Sequence, residues 1–172
     1  MPIEEFVTCI LDKNKCRGPL LAAIAEMSQW APKEMGEILL CPGLIRSNDK
    51  TKDGKPQNRP GWMLRAKLLP NVHVSNSWDG QWDACHIWDR EHRNDPKCYS
   101  RVANLVHLPK AFNSMTEHFM PDVKKMLQYR CHVHFDWCPD PNNPPPKPDL
   151  YPSDAAWEHT ICRPKPKQQR GK

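Results

Sequence analysis

Proline limits what this chain can fold into more than any other residue type. The sequence holds 19 prolines among 172 residues, more than twice the usual share, and only 38% of its residues are apolar. Proline lacks a backbone N–H and fixes its own φ angle, so helix interiors and central strands accept few of them. Much of the backbone must therefore run as loops and extended segments, and an all-helical architecture is disfavoured.

The prolines are concentrated towards the end of the chain. Nine of the last 34 residues are proline, including the run from Pro144 to Pro146. Such a composition favours extended polyproline conformation, either wrapped over the rest of the protein or trailing free. We expect a single domain in residues 1–138 and a Pro-rich, basic extension in residues 139–172, with Trp157 as a residue that could anchor part of it.

Apolar side chains recur at helical intervals near the start of the chain. The pattern from Leu20 to Met27 predicts a buried helix from about residue 19 to 30. Pro19 would lie in its first turn, where the missing N–H removes no hydrogen bond. A second helix is predicted from 32 to 40. Residues 46–61 are polar and broken by glycine and proline, which predicts a mobile loop.

Further along, the patterns change from extended to helical. Residues 83–88 and 102–108 are predicted to be two short strands separated by a charged loop. A helix is predicted to start after Pro109 and to end or kink at Pro121. Another helix is predicted from residue 122 to about 130.

Positive charge is concentrated in two segments of a chain whose net charge is +5. The loop 46–59 carries five basic residues against two acids, and residues 163–172 carry five and no acid. Such clusters suit a polyanionic partner, because neutralised phosphates release counterions, but solvated loops and a disordered tail would explain them as well. The candidate nucleic-acid-binding residues are Lys50, Lys52, Lys55, Arg59, Arg90 and Lys110.

The N-terminal residues lack a basic segment followed by an apolar run, and no window approaches the roughly 18 apolar residues of a membrane span. We therefore expect no membrane partner and a cytoplasmic location. The eight cysteines are then expected to be thiols or metal ligands rather than disulfides.

Three polar residues stand in an ordered pattern between residues 82 and 118. His86 lies in the first predicted strand, Asn104 opens the sequence Asn-Leu-Val-His-Leu in the second, and Asn113 follows nine positions later at the start of the predicted helix. This pattern resembles the HNH nucleases, which are also called ββα-metal or His-Me finger nucleases. The resemblance covers about a quarter of the chain.

The resemblance implies an α+β fold with a ββα-metal core, a two-stranded hairpin packed on a helix, at about residues 78–120. N-terminal helices in residues 1–45, the basic loop 46–61 and an irregular Pro-rich C-terminal tail would be added to this core. His86 would be the general base, and Asn104 would hydrogen-bond across the loop between the strands. Asn113 would be a ligand of Mg²⁺ or Mn²⁺.

The chain departs from the family pattern immediately before the general base. In the family that position is commonly Asp or His and ligates the metal, whereas here it is Cys85, a soft ligand that suits Zn²⁺ better than Mg²⁺. Asp83, on the same strand face, or Glu117, one helical turn after Asn113, would supply the missing oxygen ligand. In the remaining alternative the site is inactive.

The paired CxxC motifs that often brace this fold are also absent from the sequence. A structural Zn²⁺ site is one alternative, because its ligand types are present at loose spacing. Free buried thiols are the other, and the one we favour. The four candidate zinc ligands are Cys131, Cys138, His159 and Cys162.

The function implied by the resemblance is metal-dependent endonuclease action on double-stranded DNA, as in a restriction-type enzyme. A homodimer is compatible with that function. The alternatives are an inactive HNH-like nucleic-acid-binding module and a nuclease toxin that acts on DNA or RNA. A zinc-dependent nucleobase deaminase is disfavoured, because the sequence lacks His-x-Glu followed by Pro-Cys-x-x-Cys.

Overall fold

Four α-helices and one β-hairpin make up the regular structure in the described part of the chain. A computed structural model describes residues 13–64, 82–88, 91–114 and 121–157, with the backbone alone for residues 13–15, 113 and 114. None of these helices has the length and apolar character that a membrane crossing requires. The predicted α+β class is confirmed. The elements are α1 (Lys13–Met27), α2 (Arg59–Met63), β1 (Trp82–His86), β2 (Leu105–Pro109), α3 (Lys110–Ser114) and α4 (Pro121–Phe135).

The hairpin lies at the centre of the fold. β1 and β2 pair antiparallel, with His86 opposite Leu105. Residues 105–108 of β2 are fully buried. On its other edge β2 pairs with one residue, Gln29, through two backbone hydrogen bonds of 2.8 and 3.0 Å to His107. The chain just after α1 is therefore joined directly to the hairpin.

The hydrophobic core lies where α1, α4 and the hairpin meet. Each large apolar side chain that is fully buried there contributes roughly 1.5–3 kcal/mol relative to an exposed one. Between the two helices Arg17 and Asp122 form an ion pair at the edge of this core. The largest fully buried apolar side chains of the core are Trp30, Trp157, Leu21, Ile24, Leu64, Leu105, Leu108, Met126 and Leu127.

The Pro-rich segment from residue 139 onwards returns to this core. It ends, within the described residues, in a short 3-10 helix whose last residue, Trp157, is 1% exposed. The Trp157 ring meets Trp30 edge-on at 6.1 Å and stacks on Tyr151 at 5.7 Å. The anchoring role expected for Trp157 is therefore present, and residues 139–157 lie against the domain.

Two predictions for the N-terminal helices were wrong. α1 begins at Lys13 rather than near residue 19, so that Pro19 lies inside the helix. The predicted helix over 32–40 does not form. Instead Lys33–Met35 makes a 3-10 turn, and Leu39 pairs with Arg101 in an isolated bridge. An ideal Cβ on Gly36 would lie 2.7 Å from Phe135, so the backbone here is shaped by its close approach to α4.

Three further boundaries differ from the prediction. The polar segment 46–61 is partly helical, because Arg46–Asn48 forms a 3-10 turn and Asn58 caps α2 by accepting a hydrogen bond from Gly61. The second strand begins at Leu105, after a 3-10 turn over Val102–Asn104. Pro121 begins α4, next to the predicted start, which agrees with the preference of proline for a first turn. The predicted end of the preceding helix lies outside the described residues. α4 continues to Phe135, five residues beyond the predicted end.

Candidate functional site

His86 is the last residue of β1, where the strand leaves the hairpin. Its half-buried imidazole stacks on the ring of Tyr99, with ring centroids 4.6 Å apart and 10° between the planes. The strand itself is tied to the polar loop, because Asn58 Nδ2 donates a hydrogen bond of 3.0 Å to the carbonyl of Ala84. These contacts fix the plane of the candidate general base.

Asn104 joins the two ends of the loop that connects β1 to β2. Its side chain is fully buried, its Oδ1 accepts a 2.8 Å hydrogen bond from the backbone N–H of Trp88, and its Nδ2 donates to the carbonyl of Cys98 at 3.1 Å. The backbone carbonyl of Asn104 also accepts from Ile87 at 3.0 Å. These are hydrogen bonds across the loop, of the kind that the HNH resemblance implied for this residue.

α3 follows β2 without a break and contacts both strands. Asn113 lies on this helix, which begins beside Trp82, at the end of β1 opposite to His86. The side chain of Asn113 and the whole of Glu117 lie outside the described residues.

Cys85 and Asp83 precede His86 on β1 and alternate with it across the strand. Cys85 is 4% exposed and belongs to the hydrophobic core, opposite Val106. Asp83 is half-buried. A buried cysteine among apolar side chains behaves as a small hydrophobic residue. The residues that the structure describes contain no group of three or more His, Cys, Asp or Glu side chains placed to hold a metal ion.

A buried carboxylate, Asp49, connects the polar loop to the ring beside His86. Asp49 is fully buried, and its Oδ2 accepts hydrogen bonds from the Tyr99 hydroxyl at 2.8 Å and from the Arg59 N–H at 3.2 Å. The Arg59 guanidinium lies 3.4 Å from the other oxygen. Burial raises the pKa of Tyr99, the neighbouring Arg46 opposes the rise, and Asp49 adds to it. Tyr99 is therefore a neutral donor, and Arg59 serves mainly to neutralise Asp49.

A small basic pocket of about 280 Å³ opens next to this network. Three cationic residues line it, Arg46 and Lys50 from the polar loop and Arg93 from the loop between the strands. The backbone N–H of Arg46 donates to the carbonyl of Arg93 at 2.8 Å, which joins the two loops. The remaining lining residues are Ser47, Pro56 and Asn94.

No protein-family model, curated protein or solved structure matches this chain.

The other predicted nucleic-acid contacts are less closely grouped. Lys52 and Lys55 are exposed in the polar loop, and Lys55 Nζ lies 3.6 Å from Asp53. Lys110 is exposed at the start of α3, whereas Arg90 lies outside the described residues. Of the predicted residues that the structure describes, Lys50 alone lines the basic pocket.

A larger groove, of about 780 Å³, lies on another part of the surface, between α1, α4 and the Pro-rich segment. Its lining mixes acids and bases, including Glu91, Asp122, Lys125 and Asp149. It lacks the single-sign charge that would indicate one class of ligand.

Two of the four candidate zinc ligands are described, and both are thiols that donate to backbone carbonyls. Cys131 Sγ donates to Ala103 O at 2.9 Å, and Cys138 Sγ donates to Asp140 O at 3.2 Å. Burial raises the pKa of both thiols, that of Cys131 well above its usual value. These contacts are typical of protonated, buried cysteines. His159 and Cys162 lie outside the described residues.

The sequence patterns missed four residues around His86: Arg46, Asp49, Arg93 and Tyr99. Tyr99 and Asp49 are 50 positions apart and meet through side chains in irregular segments, so no periodicity links them. The two acids inside the basic loop were the one available signal, since a carboxylate that becomes buried needs a charged or hydrogen-bonding partner.

Proposed function

We propose that this protein is a metal-dependent endonuclease of the HNH type that hydrolyses phosphodiester bonds in DNA. One observation carries the proposal. His86 ends the first strand of a hairpin, Asn104 bridges the intervening loop with its buried side chain, and a helix bearing Asn113 follows the second strand directly. The identity, order and spacing of these residues are those that resemble the HNH nucleases.

His86 has the position and chemistry of a general base. An imidazole can take a proton from water, and the oxygen then attacks phosphorus while the bond to the leaving oxygen breaks. The stacked Tyr99 holds the plane of the ring, and Asn104 fixes the loop that leaves β1. As implied by the resemblance, the products would carry a 3′-hydroxyl and a 5′-phosphate.

The residues available as metal ligands suit a hard divalent cation. Asn113 and Asp83 offer an amide and a carboxylate oxygen from α3 and β1, two elements that contact each other. Oxygen donors of these kinds suit Mg²⁺ or Mn²⁺. When bound, such an ion would offset charge on the phosphate and on the leaving oxygen.

A non-catalytic nucleic-acid-binding module is the second candidate. The burial of Cys85 in the core favours it, because this residue stands where the HNH pattern commonly has a hard metal ligand. The basic pocket and the exposed lysines of the polar loop would serve binding without cleavage.

Cleavage of supercoiled plasmid with Mg²⁺ or Mn²⁺ separates the two candidates. The wild-type protein should nick or linearise the plasmid, and His86→Ala should reduce the rate by at least about a hundredfold, as expected for loss of a general base. His92→Ala is the matched control, since His92 is half-buried in the loop between the strands.

Equal cleavage by wild type and His86→Ala would refute the proposed base. DNA binding without cleavage in any divalent metal would favour the binding module.

A further inference from the structure

We propose that the basic pocket formed by Arg46, Lys50 and Arg93 binds a backbone phosphate of the nucleic acid, next to the phosphodiester that His86 would hydrolyse. The inference deepens the proposed function and rests on it. It assigns substrate contacts to Arg46 and Arg93, which the charge pattern of the sequence did not single out.

The pocket is held together by the backbone. Arg46 belongs to the 3-10 turn of the polar loop, and its N–H bonds to the carbonyl of Arg93 at 2.8 Å. Lys50 lies in a backbone bridge with Pro56, which closes the loop on the other side. Main-chain contacts thus bring the three cationic residues together, so little backbone entropy remains to be lost when an anion binds.

The positive charge of the pocket is not cancelled by its own lining. None of the six described lining residues is an acid. The nearby Asp49 is already paired with Arg59. Arg46 also contacts the Tyr99 hydroxyl, and a guanidinium stays protonated in proteins.

Size and donor type favour a phosphate. The volume of about 280 Å³ far exceeds the roughly 30 Å³ of one water molecule, so a tetrahedral oxyanion fits. Guanidinium groups bind phosphate oxygens through paired hydrogen bonds, and Ser47 and Asn94 offer neutral donors at the same wall.

The location favours the phosphate of a strand rather than a free phosphate compound. Arg46 contacts the hydroxyl end of Tyr99, and the Tyr99 ring stacks on His86. One aromatic ring therefore separates the pocket from the candidate base. A strand with its scissile bond at His86 would bring a neighbouring phosphate to the pocket.

Binding in the absence of divalent metal tests the pocket separately from catalysis. The affinity of the full chain for a labelled DNA duplex would be measured in EDTA at several salt concentrations. Arg93→Gln and Lys50→Gln should each weaken binding about tenfold and lower the slope of log affinity against log salt by about one. Lys33→Gln, at an exposed lysine of the 3-10 turn after α1 and outside the pocket, should weaken binding about twofold at most.

Several outcomes would contradict the proposal that the basic pocket binds a backbone phosphate. These are wild-type affinity and slope in Arg93→Gln and Lys50→Gln, equal losses in all three variants, or no binding of the wild type to DNA or to an RNA of equal length. Saturation of the pocket by millimolar inorganic phosphate, without any loss of duplex binding, would identify a small-phosphate site instead.

The failure of each proposal is distinguishable. Selective loss of DNA binding in the pocket variants, with no cleavage in any metal, would support the phosphate-binding role of the pocket and refute the proposed nuclease activity. Plasmid cleavage by the wild type, with unaltered DNA binding in the pocket variants, would refute only the phosphate-binding role of the pocket.

Discussion

The imidazole of His86 lies parallel to the phenol ring of Tyr99, at 4.6 Å between centroids, and the Tyr99 hydroxyl donates to buried Asp49 at 2.8 Å. The candidate base is thereby connected, through one ring, to a carboxylate of the polar loop. The basic pocket and the end of β1 consequently both contact the side chain of Tyr99.

Two substitutions of Tyr99 should separate its effect on protein stability from its effect on the position of the His86 ring. Tyr99→Phe keeps the ring but removes one of the two donors to the buried Oδ2 of Asp49, so we expect the free energy of unfolding to fall by about 1–2 kcal/mol. The single-turnover cleavage rate of the folded protein should stay close to wild type.

Tyr99→Leu removes the stacked ring as well. A misplaced base slows the reaction strongly, and we expect the cleavage rate of the folded fraction to fall between about ten- and a hundredfold. Urea denaturation gives the folded fraction in each case. A wild-type rate in Tyr99→Leu would show that the stack does not position His86.

Asn104→Ala should be strongly destabilising. The substitution leaves the buried N–H of Trp88 and the carbonyl of Cys98 without their side-chain partner, and we expect a loss of about 2–4 kcal/mol in urea denaturation. Asn142→Ala is the control, because Asn142 is exposed and should change stability by less than about 0.5 kcal/mol. Similar values for the two variants would contradict the bridging role.

The same added methyl group should have different effects at two glycines. Gly18 lies in α1, and outside its chain neighbours no atom lies within 4 Å of an added Cβ. The gain of about 0.5–1 kcal/mol from replacing a helical glycine is opposed by the Pro19 ring, which disfavours helical dihedrals for a preceding residue with a Cβ, so Gly18→Ala should change stability by less than about 1 kcal/mol. Gly36 has ordinary helical dihedrals, but its Cβ would lie 2.7 Å from the ring of Phe135.

Gly36→Ala should therefore destabilise by about 1–3 kcal/mol, through overpacking alone. Thermal unfolding of both variants beside wild type measures the difference. Equal shifts in the two variants would contradict the close contact of this backbone with α4.

Stability should fall on mild acidification because of His134. Its Nε2 lies 2.9 Å from the Ala31 carbonyl oxygen, and burial lowers the pKa of His134 below its usual 6.5, although this hydrogen bond opposes the shift. The unfolded chain binds the proton more readily, so protonation favours unfolding. The contribution of His134 is complete above the unfolded pKa and is lost as the pH falls from there towards the lowered folded value.

The comparison is between wild type and His134→Gln, which has an amide donor for Ala31 and no proton to gain. Urea denaturation at about pH 7.5 and pH 5.5 should show a smaller pH dependence in the variant. Parallel losses in both proteins would assign the effect to other groups.

Local sequence patterns predicted the helices and strands whose buried side chains recur at one regular interval. The hairpin was predicted from two short apolar segments, and α4 from helical spacing, because each buries one regular face. The helix over 32–40 failed because its course depends on the distant Phe135. The start of α1 was missed because Pro19 suggested that the helix begins there, whereas α1 begins at Lys13 and continues through Pro19.

The candidate site was predictable only in part, for the same reason. His86 and Asn104 stand in a motif with fixed local spacing. The contacts of Asp49, Tyr99 and Arg93 join irregular segments far apart in the chain, and only the folded structure reveals them.

The Pro-rich segment is attached in an unusual way. Its described backbone hydrogen bonds join residues three apart within residues 139–157, and seven residues of that stretch are prolines without an amide hydrogen. Trp157 and its aromatic neighbours supply the principal anchor. Residues 139–157 can therefore open without breaking any of the described strand pairings, at a lower free energy than global unfolding. Such a sub-global opening would expose the indole of Trp30 to solvent while the hairpin stays intact.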